Sequence, residues 1–459
     1  NGDAFDCAWR SVAEEFAHHI MPALTPIQIQ TIRSSLFPPS CTPPPSNDLY
    51  TPQQNRAQMR TDRKILGESF VISPDPSVKP CSDAFDGTLE RPFCSIQRGV
   101  EACRGILSGC TVYLLDGQPH RLMHTVEITG ENVGLSITSY PGQYATVVGT
   151  KAVGKEEGWE LVFETEEANV YRIELEDSVE EVRSLYVNGV RGVRARYPNC
   201  YPEYDTKACW QKSDNSQWLD IPDLGDPIQI NPNITRQDFD SWFPNYTAGV
   251  GGQCSRFNPP VSYWCSHHSQ WGDIGMYMLP GGLIYGSQLP HAPYANSTGA
   301  ILSAWHPDRW ANWMFTVKSD NGTAFTSWEK GGFQGGRGAA FGSDWSIQNV
   351  FEEIDYPMEF YFDRHSHELY YAVNKSSGPP PKNMERAVLK TLFRVVGSPT
   401  RPVSNVTLKD FKITGTAYTF MDDHGSPSGG DWALQRSGAI FLENSADFLI
   451  SGCHLTRID

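Results

Sequence analysis

No apolar run in the sequence approaches the about 20 residues that a membrane-spanning helix needs. No cluster of Lys and Arg stands out, and the net charge is -16, which leaves no basic face for a nucleic acid to meet. Cys-x-x-Cys is missing, so the cysteine spacing argues against zinc. The run GGFQGGRG lacks the Lys-Ser/Thr ending of a phosphate-binding loop and reads as a turn-rich segment. Charged residues make up only 20% of the 459, against 40 Gly, 33 Pro and 12% aromatics. That profile belongs to a loop-rich globular chain long enough for more than one domain.

Most of the 11 cysteines lie near a neighbour: Cys81 and Cys94, Cys103 and Cys110, Cys200 and Cys209, Cys254 and Cys265. Short-loop disulfides fit this spacing, with Cys200–Cys209 and Cys254–Cys265 the foremost pairs and Cys453 left single, although spacing alone does not fix connectivity. Six N-x-S/T sites, at Asn233, Asn245, Asn296, Asn321, Asn374 and Asn405, agree with the secretory route. The sequence starts with Asn instead of Met, consistent with a leader already removed. The expected location is extracellular.

Residues 1–40 read as a helical segment: Phe5, Trp9, Val12 and Phe16 recur at helical spacing, and Thr25-Pro26 forms a helix start. Residues 41–65 are a proline-rich linker. From 66 to 150 the pattern becomes short strands with one amphipathic helix. Residues 151–392 alternate like antiparallel sheet and are rich in Trp and Gly, and "MEFYFDRHSHELYYAV" reads as a hairpin.

The motifs Gly87-Thr88, Pro92-Phe93 and "TVYLLDG" (111–117) resemble the opening of right-handed parallel β-helix proteins of the pectate-lyase-like superfamily. "DGQPHRL" departs from the aromatic-bearing ending usual there. The phrases "SLYVNGVRGVRARYPN" and "EFYFDRHSHELYY" are similar to segments of β-helix glycoside hydrolases. The resemblance implies a mainly β chain, a right-handed parallel β-helix with an inserted β-rich domain (151–392) behind the small N-terminal helical segment. Its coils resume at 393–459.

"SNVTLKDFKIT" (404–414) and "ADFLISGCHLT" (446–456) state one pattern twice, 42 residues apart. Val406 falls on Phe448, Leu408 on Ile450, Phe411 on Cys453 and Ile413 on Leu455. Solenoids stack like residues in this way, and an uncapped last coil exposes apolar side chains. The expectation is therefore that the β-helix continues beyond the chain end, in a further polypeptide segment or chain.

Hydrolysis of a glycosidic bond takes two carboxylates, one protonated and one ionised. The polar loop "MDDHGSPSGGDW" offers Asp422, Asp423 and Asp431, and the following strand offers Glu443. His424, Tyr418, Trp432 and Arg457 are the neighbouring candidates for sugar contact. Ordinary turn chemistry is the competing explanation for the loop acids. His267-His268 and His365-x-His367 lack an identifiable further ligand and read as structural or solvated. Trp305, Trp310 and Trp313 read as core by default. No metal site or cofactor is expected, with Ca²⁺ the one ion left open. The expected partner is a polysaccharide or glycan, and the expected function is its hydrolysis, with a polysaccharide lyase ranked lower. The alternative is a non-enzymatic structural or adhesive glycoprotein of an extracellular matrix, wall or filament.

Overall fold

A computed structural model describes residues 67–153, 158–203, 207–219, 282–305, 309, 312–331, 342–422 and 436–459. The N-terminal helical segment and linker, the Cys254–Cys265 pair, Asn233, Asn245, the 267–268 histidines and Trp310 lie outside those residues. The protein is mainly β, built from several separate sheets, with one α-helix among the described residues.

Three sheets of three or more strands contain only parallel pairs. One joins Glu68–Ile72, Cys110–Leu114, Leu135–Ser139, Thr407–Lys409 and Leu449–Ser451. A second joins His120–Arg121, Thr146–Val148, Lys412–Thr414 and His454–Thr456. The third joins Val126–Thr129, Phe393–Val396 and Ile440–Glu443. Each combines strands from before residue 150 with strands from after residue 392, so Thr407 hydrogen-bonds beside Ser136 across a long detour of chain.

The repeated phrase sets the register. Leu408 pairs with Ile450, Ile413 with Leu455 and Thr414 with Thr456, at the 42-residue offset visible in the sequence. Apolar residues at alternate positions point to one shared core, where Ile137, Val147, Leu408, Phe411 and Ile413 are fully buried. The corners repeat as well. Asn405 and Asp447 take positive φ (57° and 53°), and so do Asp410 and Gly452 (57° and 62°). Asn, Asp and Gly are the residues that tolerate this conformation. Gly452 has a second reason: a Cβ there would lie 2.2 Å from Asp410 Oδ1.

The helix Ile96–Ala102 lies against the first strands. Ser95 caps it by accepting from the Arg98 N–H, and Ile96, Gly99 and Val100 form its buried face. A side chain at Gly99 would meet Ile72 at 2.8 Å, so the missing Cβ lets helix and sheet approach. Cys103–Cys110 ties the helix end to the strand that follows, and Cys81–Cys94 closes the loop before it.

The chain between Thr150 and Ala387 forms antiparallel sheets of four and seven strands, plus a five-stranded sheet that is antiparallel apart from one short parallel pair. The seven-stranded sheet surrounds Trp313, Phe315, Phe325 and Trp345, all at most 1% exposed. Trp313 is thus core, while Trp305 rests on Trp210 with ring centroids 5.4 Å apart. Glu359–Asp363 and Glu368–Asn374 form the expected hairpin.

His120 occupies the "DGQPHRL" departure. It is buried, and its Nε2–H donates to the Leu115 carbonyl at 2.7 Å. Burial lowers its pKa to about 4 against the opposing pull of that carbonyl. A depressed histidine contributes stability that is full above its unfolded value, near 6.5, and fades as pH falls toward 4. The difference is worth about 3 kcal/mol, at about 1.36 kcal/mol per pH unit. His120→Gln keeps a donor toward Leu115 but cannot charge. Denaturant unfolding at pH 7 and pH 4.5 should therefore show a smaller acid loss in His120→Gln than in the parent; equal losses would contradict it. Comparing the two proteins is essential, because burial also raises the pKa of Glu353 and Glu359, which act in the opposite sense.

Candidate functional site

The segment Gly415–Asp422 leaves the second parallel sheet and runs along the antiparallel region. Tyr418 is nearly buried there, with Phe420 stacked on it at 4.4 Å. Two arginines from the 183–196 stretch cover the Tyr418 ring, Arg194 at 4.2 Å and Arg183 at 5.2 Å from its centroid. An aromatic face carries negative charge, which favours this placement of guanidinium groups.

Arg183 is the hub. Its Nε donates to Glu181 Oε2 at 2.9 Å, and its Nη1 donates to Asp422 Oδ1 at 2.7 Å. Lys390 Nζ lies 2.5 Å from the other Asp422 oxygen, and the Tyr418 hydroxyl donates to Glu181 Oε1 at 3.2 Å. Two carboxylates more than 200 residues apart therefore share one guanidinium. Burial by itself would raise the Asp422 pKa, but the bonds from Lys390 and Arg183 outweigh it and hold the group below the usual carboxylate range. Asp422 is thus an ionised carboxylate, suited to act as base or nucleophile and not as acid.

A cleft of about 830 Å³ opens at this point, lined by Glu181, Arg183, Arg194, Tyr418, Met421 and the Asp363–His367 turn, with Glu329 and Asn296 on its walls. His365 is exposed there, and His367 bonds the Val179 carbonyl through Nδ1 at 3.1 Å. On the other side of Arg194 and Tyr418 lies a smaller cavity of about 200 Å³ walled by Arg191, Arg194, Arg196, Phe420 and the carboxylates Glu203 and Asp459. The two openings share Arg183, Arg194 and Tyr418 as a common wall.

Of the residues expected from sequence, Tyr418 lines both openings, while Asp422 lines neither and is bonded to Arg183 and Lys390. Glu443 lies on the last strand of the third parallel sheet, bonded to Arg436 at 2.8 Å. Arg457 donates to the Gly189 carbonyl at 2.9 Å and covers the Tyr186 ring at 5.0 Å. Asp423, His424, Asp431 and Trp432 lie outside the described residues. Cys200–Cys209 is bonded, and Cys453 is the free cysteine among the described residues. Asn296, Asn321, Asn374 and Asn405 are exposed. Among the described residues, no group of three or more His, Cys, Asp or Glu side chains could hold a metal ion.

Sequence reasoning missed Glu181, Arg183 and Lys390. It also missed a second acidic cleft, where His291 Nε2 meets Asp355 Oδ2 at 3.1 Å and Tyr294 donates to Glu353 at 2.6 Å. Burial pushes the Glu353 carboxyl up. At 1% exposure Glu353 is sealed behind Tyr294, so a substrate has no route to it.

No family model matches the chain, and no curated protein matches it. Two solved structures resemble it. One is described as "Glycoside hydrolase", with TM-score 0.50 and 16% identity over 84% of this chain and 62% of that one. The other, "The complex structure of XylC with xylose", has TM-score 0.29 and 11% identity over 83% of this chain and 40% of its own. The first likeness concerns fold alone: this chain has a glycoside hydrolase-like fold and spans 62% of that structure's length. The second is too distant to carry an argument. No helix among the described residues is long and apolar enough to cross a membrane.

Proposed function

We propose that this chain is a secreted, carbohydrate-active protein of the β-helix type that hydrolyses glycosidic bonds of an extracellular polysaccharide. The observation that carries the activity is that Glu181, on the wall of an open cleft, and Asp422 are bound to one guanidinium. Asp422, held ionised, takes the base or nucleophile role, and Glu181, exposed on the cleft wall, is the second carboxylate of the pair. Parallel sheets stacked in one register around one core support the right-handed β-helix reading, with the antiparallel strands of 150–387 as its insertion. Among the described residues, three disulfides and four exposed sequon asparagines support passage through the secretory route. The test is a panel of neutral and acidic polysaccharides assayed for new reducing ends. Release from at least one is expected; a panel with no release, at enzyme levels where known hydrolases cut, would refute the hydrolase reading.

One observation favours the structural alternative, or an addition to the enzyme. On the last rung, Leu442, Leu449, Ile450 and Leu455 are 41–52% exposed, although Ile450 and Leu455 stack on the fully buried Leu408 and Ile413. We infer that a further polypeptide adds to this open, apolar edge as another parallel coil, since unpaired edges and apolar cross-sections are normally covered. Amide exchange at 449–451 and 454–456, in protein taken from its natural setting, should then be as slow as at 407–409. Exchange as fast as in surface loops would remove this reading.

A further inference from the structure

Asn296 opens the sequon Asn296-Ser297-Thr298 and is exposed on the wall of the cleft that Glu181 also lines. Thr298 and Gly299 line the same cleft, whereas the other described sequon asparagines, Asn321, Asn374 and Asn405, do not. Asn296 Oδ1 accepts the Thr298 N–H at 3.0 Å, which closes an Asx turn. Its Nδ2, the atom that an N-linked sugar takes, has no hydrogen-bond partner among the described residues.

The turn is pinned on both sides. The Ala295 N–H donates to Glu352 Oε1 at 2.6 Å, and the Tyr294 hydroxyl donates to Glu353 Oε1 at 2.6 Å. The Gly299 N–H donates to the Val317 carbonyl at 2.9 Å, and Asn349 Nδ2 donates to the Gly299 carbonyl at 3.3 Å. A sugar on Asn296 therefore has a fixed root at the cleft. An N-linked glycan is bulky, and the cleft measures about 830 Å³.

We propose that Asn296 carries an N-linked glycan that covers part of this cleft and limits which substrates reach Glu181. The inference rests on the carbohydrate-active reading and adds a control of the same site: long chains are hindered and short ones are not. The attachment is a glycosyl transfer from a lipid-linked oligosaccharide pyrophosphate. The C1–O bond to the pyrophosphate breaks as C1 bonds to Nδ2. The pyrophosphate leaves with the electron pair, and Nδ2 gives up one proton.

The secreted full chain, with its own glycans, and the variants Thr298→Ala and Ser376→Ala test it. Thr298→Ala ends the sequon but keeps Asn296 and the backbone N–H that closes its turn. Ser376→Ala ends the Asn374 sequon, away from the cleft, and serves as the control. Peptide mass mapping should find Asn296 glycosylated in the parent. Hydroxyl-radical labelling of His365, exposed on the cleft, should be about twofold faster or more in Thr298→Ala. Trimming the folded parent with an endoglycosidase should do the same without a substitution, and Ser376→Ala should label as the parent does. On a polysaccharide that the parent cleaves, Thr298→Ala should lower KM about threefold or more with kcat unchanged. A short oligosaccharide should be cut with the same kcat/KM by both. A bare Asn296, equal His365 labelling in parent, variant and trimmed protein, an equal rise in Ser376→Ala, or an unchanged KM would overturn the proposal. The two readings fail separately. Cleavage with unchanged labelling sinks the glycan control alone, and changed labelling without cleavage of any polysaccharide sinks the hydrolase reading alone.

Discussion

Glu181→Gln and Asp422→Asn should each slow glycosidic cleavage by about 10²–10⁴-fold, the usual contribution of a positioned acid or base. The two losses should not add, because both carboxylates are arranged by the same Arg183 and act in one step. Their pH signatures should differ. Lys390 and Arg183 hold Asp422 ionised well into the acid range, so activity that depends on its charge persists below the usual carboxylate pKa. The same depression means that its contribution to folding is complete above the ordinary carboxylate value and is lost as pH falls through the lower folded one. Asp422→Asn should change stability at neutral pH by about 1 kcal/mol, since partly exposed ion pairs are worth little. Kinetics on the best polysaccharide of the panel, with unfolding curves alongside, checks both. Either variant keeping full rate would remove its residue from the mechanism.

The largest loss of stability is expected at the stack itself. Phe411 is fully buried, lies 6.0 Å from the Phe393 ring and belongs to the core shared by the parallel sheets. Phe411→Ala should cost about 3–5 kcal/mol, the loss of a large buried ring together with the cavity it leaves. Leu449→Ala, on the exposed last rung at 52% exposure, should change stability by about 0.5 kcal/mol or less. Guanidinium unfolding of both variants gives the comparison. Equal effects would mean that Phe411 does not anchor a common core.

The strand stack was legible because its determinants are local. Alternation fixes which side chains face inward, and the two phrases carry their own corners, Asn405 with Asp447 and Asp410 with Gly452. Asp422 and Tyr418 could be singled out because they flank a polar loop beside a coil. Their partners could not. Glu181 meets Tyr418 across 237 residues and Arg183 meets Asp422 across 239, so no spacing rule connects them. The alternate arginines of "RGVRARYPN" are visible as letters, yet alternation does not reveal that Arg194 and Arg196 are buried while Arg191 is paired. Glu353 likewise looks like any acidic residue of a turn, and only packing behind Tyr294 gives it a raised pKa.

The most direct measurement is a crystal structure of the Glu181→Gln protein with an uncut oligosaccharide of the polysaccharide that the parent cleaves. The account predicts a chain lying in the cleft beside Tyr418, with a glycosidic oxygen within hydrogen-bond reach of residue 181 and Asp422 on the far side of the same sugar. An oligosaccharide seated instead beside His291 and Asp355, or on a face remote from Arg183, would contradict it.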